Sequence, residues 1–380
     1  MRMINILEPF LGQEEIRQVL LSLKKNEIST FGHFAKEFEK KSRKITNSKF
    51  NLAVNSGSVA LYLAHKVCNL NSGKIVLAPS YTFVATISSI VHAGATPWLF
   101  DISPSSLCIN VDQVEFFLKN KTFKKNNITY LHKTKEQISA ICVVLTFSLM
   151  PDLKKINYLA KKYNLKIIID AACAFGSKYN NKPLTKFADV VIYSFNGNKT
   201  LTSGGGGILS TDKKKLFDNA KLLANNGKED DKNPYNYKIF GHNFKITNIH
   251  AALGFAQLKN YNKIINKKKK IQLIYKNNFQ NSNFYFLSKY LNTNKILWIN
   301  FLFTKNKKIA LKIINLLKKN KIISNYFWKP IHLQSFAKKI RTEKMNFSNL
   351  FWNRIIPLPS SLNLKRNIQL KIIKIINNIS

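Results

Sequence analysis

Three short stretches of this chain carry residue types that can do chemistry. In Asn55-Ser56-Gly57-Ser58-Val59-Ala60-Leu61, a Gly/Ser turn separates a strand-like run from a helix-like one. Free backbone N–H groups at a helix start, reinforced by the helix dipole, make an anion site. The Gly-Lys-Ser/Thr ending of a Walker loop is missing. In Ile167-Ile168-Ile169-Asp170-Ala171-Ala172-Cys173-Ala174, an acidic residue closes an apolar strand. At the carboxyl end of a parallel strand, such a carboxylate points into the crevice where these sheets bind ligands. An N-cap for the next segment is the plainer alternative. In Tyr193-Ser194-Phe195-Asn196-Gly197-Asn198-Lys199-Thr200, a strand delivers Ser194 and a turn presents Lys199 ahead of Gly204-Gly205-Gly206-Gly207. A strand resumes at 208–210, which favours close backbone packing over a flexible linker.

Together these stretches offer an anion cup, a carboxylate and a lysine, in that order, each following the end of a strand expected to be parallel. Pyridoxal phosphate needs those three groups: a cradle for its phosphate, an acid for its pyridine nitrogen and an amine for a Schiff base.

The surrounding pattern supplies the scaffold. Residues 31–260 alternate strand-like segments (50–54, 75–78, 97–101, 138–147, 166–170, 190–195) with helix-like ones (58–68, 82–92, 153–163, 247–258). That rhythm predicts an α/β fold with a mainly parallel sheet sandwiched by helices. Residues 1–30 read as an N-terminal arm, with Ile16, Val19, Leu20 and Leu23 at helical spacing. Residues 119–137 read as a solvated excursion and 227–238, with Pro234, as a loop; Thr247 is a plausible N-cap. From about 261 the texture turns lysine-rich. Residues 298–303 and 309–317 look like a strand and a helix of a smaller C-terminal α+β domain, 261–380, and Lys267–Lys270 like a solvated helical face.

Composition sets limits. The chain has 380 residues, 45% hydrophobic and 12% aromatic, enough for a large packed core. The formal charge is +42, yet only Arg2, Arg17, Arg43, Arg341, Arg354 and Arg366 are arginine. Nucleic-acid binding usually comes with arginine, which reads phosphates and base edges. Lys, Asn, Ile and Phe share A/T-rich codons, so the lysine excess reads as nucleotide bias and no nucleic-acid partner is expected. No stretch reaches the roughly 18 uncharged apolar residues of a membrane span, and the first residues lack the apolar region of a secretory signal. Cys68, Cys108, Cys142 and Cys173 show no C-x-x-C spacing, which argues against disulfide or zinc frameworks and for a cytoplasmic location.

Further pieces extend the pattern along nearly the whole chain. They are Ile28-Ser29 with Gly32, Phe38-Glu39, Pro79-Ser80-Tyr81-Thr82-Phe83-Val84-Ala85-Thr86, Gly94-Ala95-Thr96-Pro97, Gly241-His242-Asn243-Phe244-Lys245, Ala251-Ala252-Leu253-Gly254 and Gln257-Leu258. A fainter one is Trp328-Lys329-Pro330-Ile331-His332. With these, the chain resembles the nucleotide-sugar aminotransferases related to DegT, DnrJ, EryC1 and StrS, of pyridoxal phosphate fold type I. The resemblance implies that Lys199 forms the Schiff base and Asp170 pairs with the pyridinium nitrogen. It implies that Gly57, Ser58 and Ser194 cradle the phosphate, and that Phe83 stacks on the ring. Asn243 would reach the phosphate of a neighbouring subunit, making a homodimer with shared active sites. Glutamate would be the amino donor and a nucleotide-linked 4-keto-6-deoxy sugar the acceptor. The run Ser194–Lys199 before four glycines looks like the branch acting on a UDP-linked N-acetylhexosamine in glycan biosynthesis.

The chain departs from the family's pattern at several positions. Cys173 stands where Gln or His usually touches the cofactor's ring oxygen, and a thiol is a poor donor. Lys245 replaces an arginine, Gly205 a glutamate, and Phe147-Ser148-Leu149-Met150 the common His-x-x-Gly. Lys199 argues against dehydrating relatives, which carry histidine there. The alternative reading is a decayed or regulatory member that binds cofactor or sugar without turnover.

Overall fold

In chain order the strands are β1 (Phe50–Val54), β2 (Lys74–Pro79), β3 (Thr96–Phe100), β4 (Thr122–Lys125), β5 (Ile128–Leu131), β6 (Gln137–Val144), β7 (Lys166–Asp170), β8 (Lys178–Tyr179), β9 (Lys182–Pro183), β10 (Val190–Ser194) and β11 (Gly207–Thr211), the central ones being runs of β-branched and apolar residues. After them come β12 (Phe284–Phe286), β13 (Asn300–Thr304), β14 (Arg341–Thr342) and β15 (Ile355–Leu358). The structure is a computed structural model that describes residues 3–228, 235–279, 281–286 and 297–379. The large sheet has the order β1-β11-β10-β7-β6-β2-β3-β14, with the β4–β5 hairpin paired to the start of β6. Strands β10, β7, β6, β2, β3 and β14 are mutually parallel, and β11 runs antiparallel to both its neighbours.

Successive side chains of a strand point to opposite faces, and both faces here are apolar. Ile141, Val143, Ile167 and Ile169 face one way, onto α2 (His33–Thr46), α5 (Val111–Lys121), α6 (Leu153–Lys162) and α8 (Asn248–Lys259). Ala140, Cys142 and Ile168 face the other, onto α3 (Gly57–Val67), α4 (Val84–His92) and α7 (Lys214–Ala224). Burying each such isoleucine contributes about 1.5–3 kcal/mol. The mainly parallel, helix-covered sheet expected from the sequence is therefore present.

A second core surrounds the antiparallel sheet β12-β13-β15, with α9 (Tyr261–Asn278), α10 (Lys307–Lys319) and α12 (Arg366–Asn377) packed against it. This cluster also takes in Tyr81 and Phe147 from the large sheet's loops, so it abuts the sheet's carboxyl edge.

Three local expectations are corrected. Residues 119–137 are not a solvated excursion, because β4 and β5 form a hairpin and extend the sheet. The strand expected over 138–147 ends at Val144; Phe147 and Ser148 instead take positive φ, 55° and 76°, in a tight turn. Thr247 does stand at the N-cap of α8, its carbonyl accepting from Ala251 N at 2.9 Å, while its hydroxyl is bonded to His250 Nδ1 and not to a backbone N–H. Within Lys267–Lys270, Lys268 is turned inward and buried. Pro234 of the expected loop lies outside the described residues.

The N-terminal helix α1 (Gln13–Lys24) is oriented opposite to its apolar stripe. Glu15, Gln18 and Ser22 are buried, while Ile16, Leu20 and Leu23 are exposed. Polar pairing causes this: Gln257 on α8 donates to Glu15 Oε1 at 2.8 Å.

Candidate active site

The anion cup forms where β1 turns into α3. Ser56 caps that helix, its hydroxyl accepting from Val59 N at 3.2 Å. Two glycines let three backbone segments converge here. A Cβ on Gly57 would lie 2.8 Å from Ser194 Cβ, and one on Gly207 would lie 2.3 Å from Ser56 O. The glycine run thus ends in a packed crossing at Gly207, which opens strand β11. Ser58 and Ser194 present their side chains to the same cavity.

That cavity, of about 270 Å³, lies at the carboxyl ends of β2, β6, β7 and β10. Gly57, Ser58, Phe83, Asp170, Cys173, Ser194 and Lys199 all line it, together with Trp298, Phe327 and Trp328 from beyond the large sheet. Asn243 does not; it is exposed, in an extended segment bridged to Asn225. Phe83 is 54% exposed, at the start of α4, with its ring centroid 6.1 Å from that of Trp328.

Asp170 is 5% exposed. Its Oδ2 accepts from Thr86 Oγ1 at 2.7 Å and its Oδ1 from Ala172 N at 3.1 Å. Burial pushes its carboxyl above the ordinary range; the two donors and the Lys199 charge pull the other way. A buried acid so placed is suited to a cationic N–H. Thr86 is in turn bonded to Thr82, at 2.8 Å between hydroxyls.

Lys199 leaves the Asn196–Thr200 turn, where its N–H donates to Asn196 O at 2.9 Å. Its Nζ donates to Cys173 Sγ at 3.4 Å and lies 4.3 Å from the centroid of the Trp298 ring. Burial pushes the Cys173 thiol up, so this sulfur stays protonated at neutral pH and is a weak nucleophile. The lysine, the acid and the cup line one cavity, and this donor set fits pyridoxal phosphate: helix-start N–H groups and hydroxyls, a buried carboxylate and an amine.

Sequence reasoning gave no role to Thr86, Asn198, Trp298 or Phe327. Thr82 and Thr86, four apart at a helix start, were a readable signal of a shared hydroxyl pair. Trp298 and Phe327 come from distant segments, and no local pattern marks them.

The model of the DegT/DnrJ/EryC1/StrS aminotransferase family matches residues 9–377. A GDP-perosamine synthase of Escherichia coli O157:H7 is 33% identical over 278 residues, covering 73% of this chain and 72% of that protein. A UDP-4-amino-4,6-dideoxy-N-acetyl-beta-L-altrosamine transaminase of Campylobacter jejuni is 29% identical, covering 96% of this chain and 94% of that one. Among solved structures, Helicobacter pylori PseC, an aminotransferase involved in pseudaminic acid biosynthesis, superposes with a TM-score of 0.87 at 24% identity. That match covers 99% of this chain and 98% of PseC, and it bears on the fold.

Proposed function

The chain belongs to the DegT/DnrJ/EryC1/StrS aminotransferase family, and on that footing we propose that it moves an amino group from glutamate to the 4-keto carbon of a nucleotide-linked 4-keto-6-deoxy sugar, for glycan biosynthesis in the cytoplasm. The family's aminotransferases use pyridoxal 5'-phosphate. When bound, this group supplies an aldehyde that exchanges amino groups and a ring that accepts an electron pair. The observation that carries the reading is the convergence of Lys199, Asp170 and the Gly57–Ser58 cup on one cavity.

The residues divide the work. Gly57 N–H and the Ser58 and Ser194 hydroxyls would hold the phosphate. The Asp170 carboxylate, bonded by Thr86, would face the ring nitrogen and keep a proton there. The Lys199 amine would hold the cofactor and would be the base for the proton on the donor's α-carbon. Phe83 and Trp328 would bound the cofactor's ring, and the Trp298 face lies 4.3 Å from Nζ.

The UDP-linked N-acetylhexosamine reading is supported by the Ser194–Lys199 run and by the Campylobacter relative. The Escherichia relative supports a second reading, a GDP-linked sugar. Binding without turnover has less support, because Lys199 and Asp170 both line the cavity. A homodimer with shared sites is supported by the place of Asn243, outside its own chain's cavity, and by the exposed stripe of α1. No described helix is long and apolar enough to cross a membrane.

The test is a panel of UDP-, GDP- and dTDP-linked 4-keto sugars offered with glutamate and scored by product mass. One or more should return the amino sugar, and the nucleotide is read from which. A cofactor-loaded protein that aminates none of them would overturn the reading.

A further inference from the structure

Lys268 is a buried amine for which the chemistry above has no use. It is 2% exposed, the inward member of four consecutive lysines on α9. Its Nζ donates to Trp298 O at 2.6 Å and to Ser360 O at 2.9 Å. No carboxylate among the described residues pairs with it. Two carbonyls are a complete set of acceptors for a neutral amine, which has two N–H donors, and would leave an ammonium one short. Burial pushes its pKa down to about 7, in the same direction.

Trp298 is held at every polar atom. Its N–H donates to Ser148 Oγ at 3.2 Å, its carbonyl accepts from Lys268, and its indole Nε1 donates to Asn198 O at 2.7 Å. Ser148 Oγ also donates to Cys173 O at 2.5 Å, which ties this anchor to the cavity wall. Asn198 is the residue before Lys199, and the indole face lies 4.3 Å from the Lys199 amine. A lysine side chain is a long flexible stem. Here the turn that carries it and the space around its tip are both bounded by one indole, and that indole is fixed by Lys268.

We infer that Lys268 is a positioning residue for Lys199, acting through Trp298: it clamps the Trp298 carbonyl, so that the indole pins the Asn198 carbonyl and walls the Lys199 amine. The inference rests on the proposed role of Lys199 and deepens it. Its consequence is that the small-sheet side of the molecule controls the geometry of the catalytic turn. A variant at Lys268, which lines no part of the cavity, should disturb that turn selectively.

Hydrogen exchange read by mass spectrometry, on the cofactor-loaded and cofactor-free protein, tests this. K268M should speed exchange in peptides covering 196–203 about fivefold, the value of one lost hydrogen bond. Strands β10 and β11 and the cup should keep wild-type rates. W298F, which fills the space with a ring but lacks the indole N–H, should do the same at that turn. In the single-turnover glutamate half-reaction both variants should lower the limiting rate and leave the half-saturating glutamate concentration unchanged. The double variant should be no worse than W298F alone, because the two residues act in series. Faster exchange confined to 264–272, 297–299 and 358–361, with 196–203 at wild-type rates, would overturn the relay, as would additive losses in the double variant. If K268M does not fold, W298F tests the last link in the same way, and a wild-type turn there overturns the inference. Exchange at the turn does not depend on covalent attachment of the cofactor, so failure of the relay is distinguishable from failure of the Lys199 assignment.

Discussion

Thr86→Val removes one hydroxyl and nearly conserves volume. In the wild type that hydroxyl donates to Asp170 Oδ2 at 2.7 Å, inside a site where the carboxylate is 5% exposed. A hydrogen bond to a charged acceptor contributes about 1.5–3 kcal/mol. That energy favours only the ionised form, so its loss should weaken Asp170 as an acid by about ten- to a hundredfold. Burial already sets the folded pKa above the ordinary 3.8. Keeping Asp170 ionised therefore costs stability that is absent below 3.8 and grows as pH rises through the folded value. The variant enlarges that cost only on the alkaline side. Denaturant unfolding of the cofactor-free protein should show a small loss for Thr86→Val at low pH, from the Thr82 hydroxyl it leaves without its partner, and a further loss of about 1.5–3 kcal/mol once the pH is above the folded value of Asp170. In the loaded enzyme, the acid limb of the kcat/KM profile should move up by about one to two pH units. Thr86→Ser, which keeps the donor, should restore most of both. A loss of stability equal at all pH values, or an unmoved acid limb, would refute the assignment of this hydroxyl to the Asp170 carboxylate.

Two further outcomes follow. Gly207→Ala would place a Cβ 2.3 Å from Ser56 O, so the cup must open; overpacking of this kind costs about 1–3 kcal/mol, and a fluorescence titration should show weaker cofactor binding with the unfolding midpoint also lowered. Lys199→Ala and Asn243→Ala should each be nearly inactive alone, but mixing, unfolding and refolding them together should restore about a quarter of wild-type activity, since half the dimers are hybrids with one intact site each; no recovery would exclude sharing of sites through Asn243.

The scaffold was legible where burial is symmetric. Ile167-Ile168-Ile169 is apolar throughout because β7 is covered on both faces, and its end at Asp170 follows directly. The hairpin over 122–131 was hidden by its lysines and threonines; its inward Thr129 satisfies itself by donating to Tyr163 O. The burial of Lys268 left a signal that was passed over. Ile264, Lys268, Ile271 and Tyr275 form one stripe at helical spacing, all buried. Reading the lysine run by charge alone put it in solvent. Helix α1 was foreseen, but not that its polar side turns inward, because that depends on Gln257, more than two hundred residues away. The cup, the acid and the lysine could be read because each follows a strand end. The indole at Trp298 could not, because only the tertiary fold carries it to Lys199.

The proposed function turns on the Lys199 amine, among 61 basic side chains, being the one that would carry the cofactor. Borohydride reduction of the cofactor-loaded protein, followed by proteolysis and mass mapping, tests it directly. One pyridoxyl-lysine is expected, in the peptide containing Lys199, and none in Lys199→Ala. A label on another lysine, or undiminished labelling of Lys199→Ala, would contradict it.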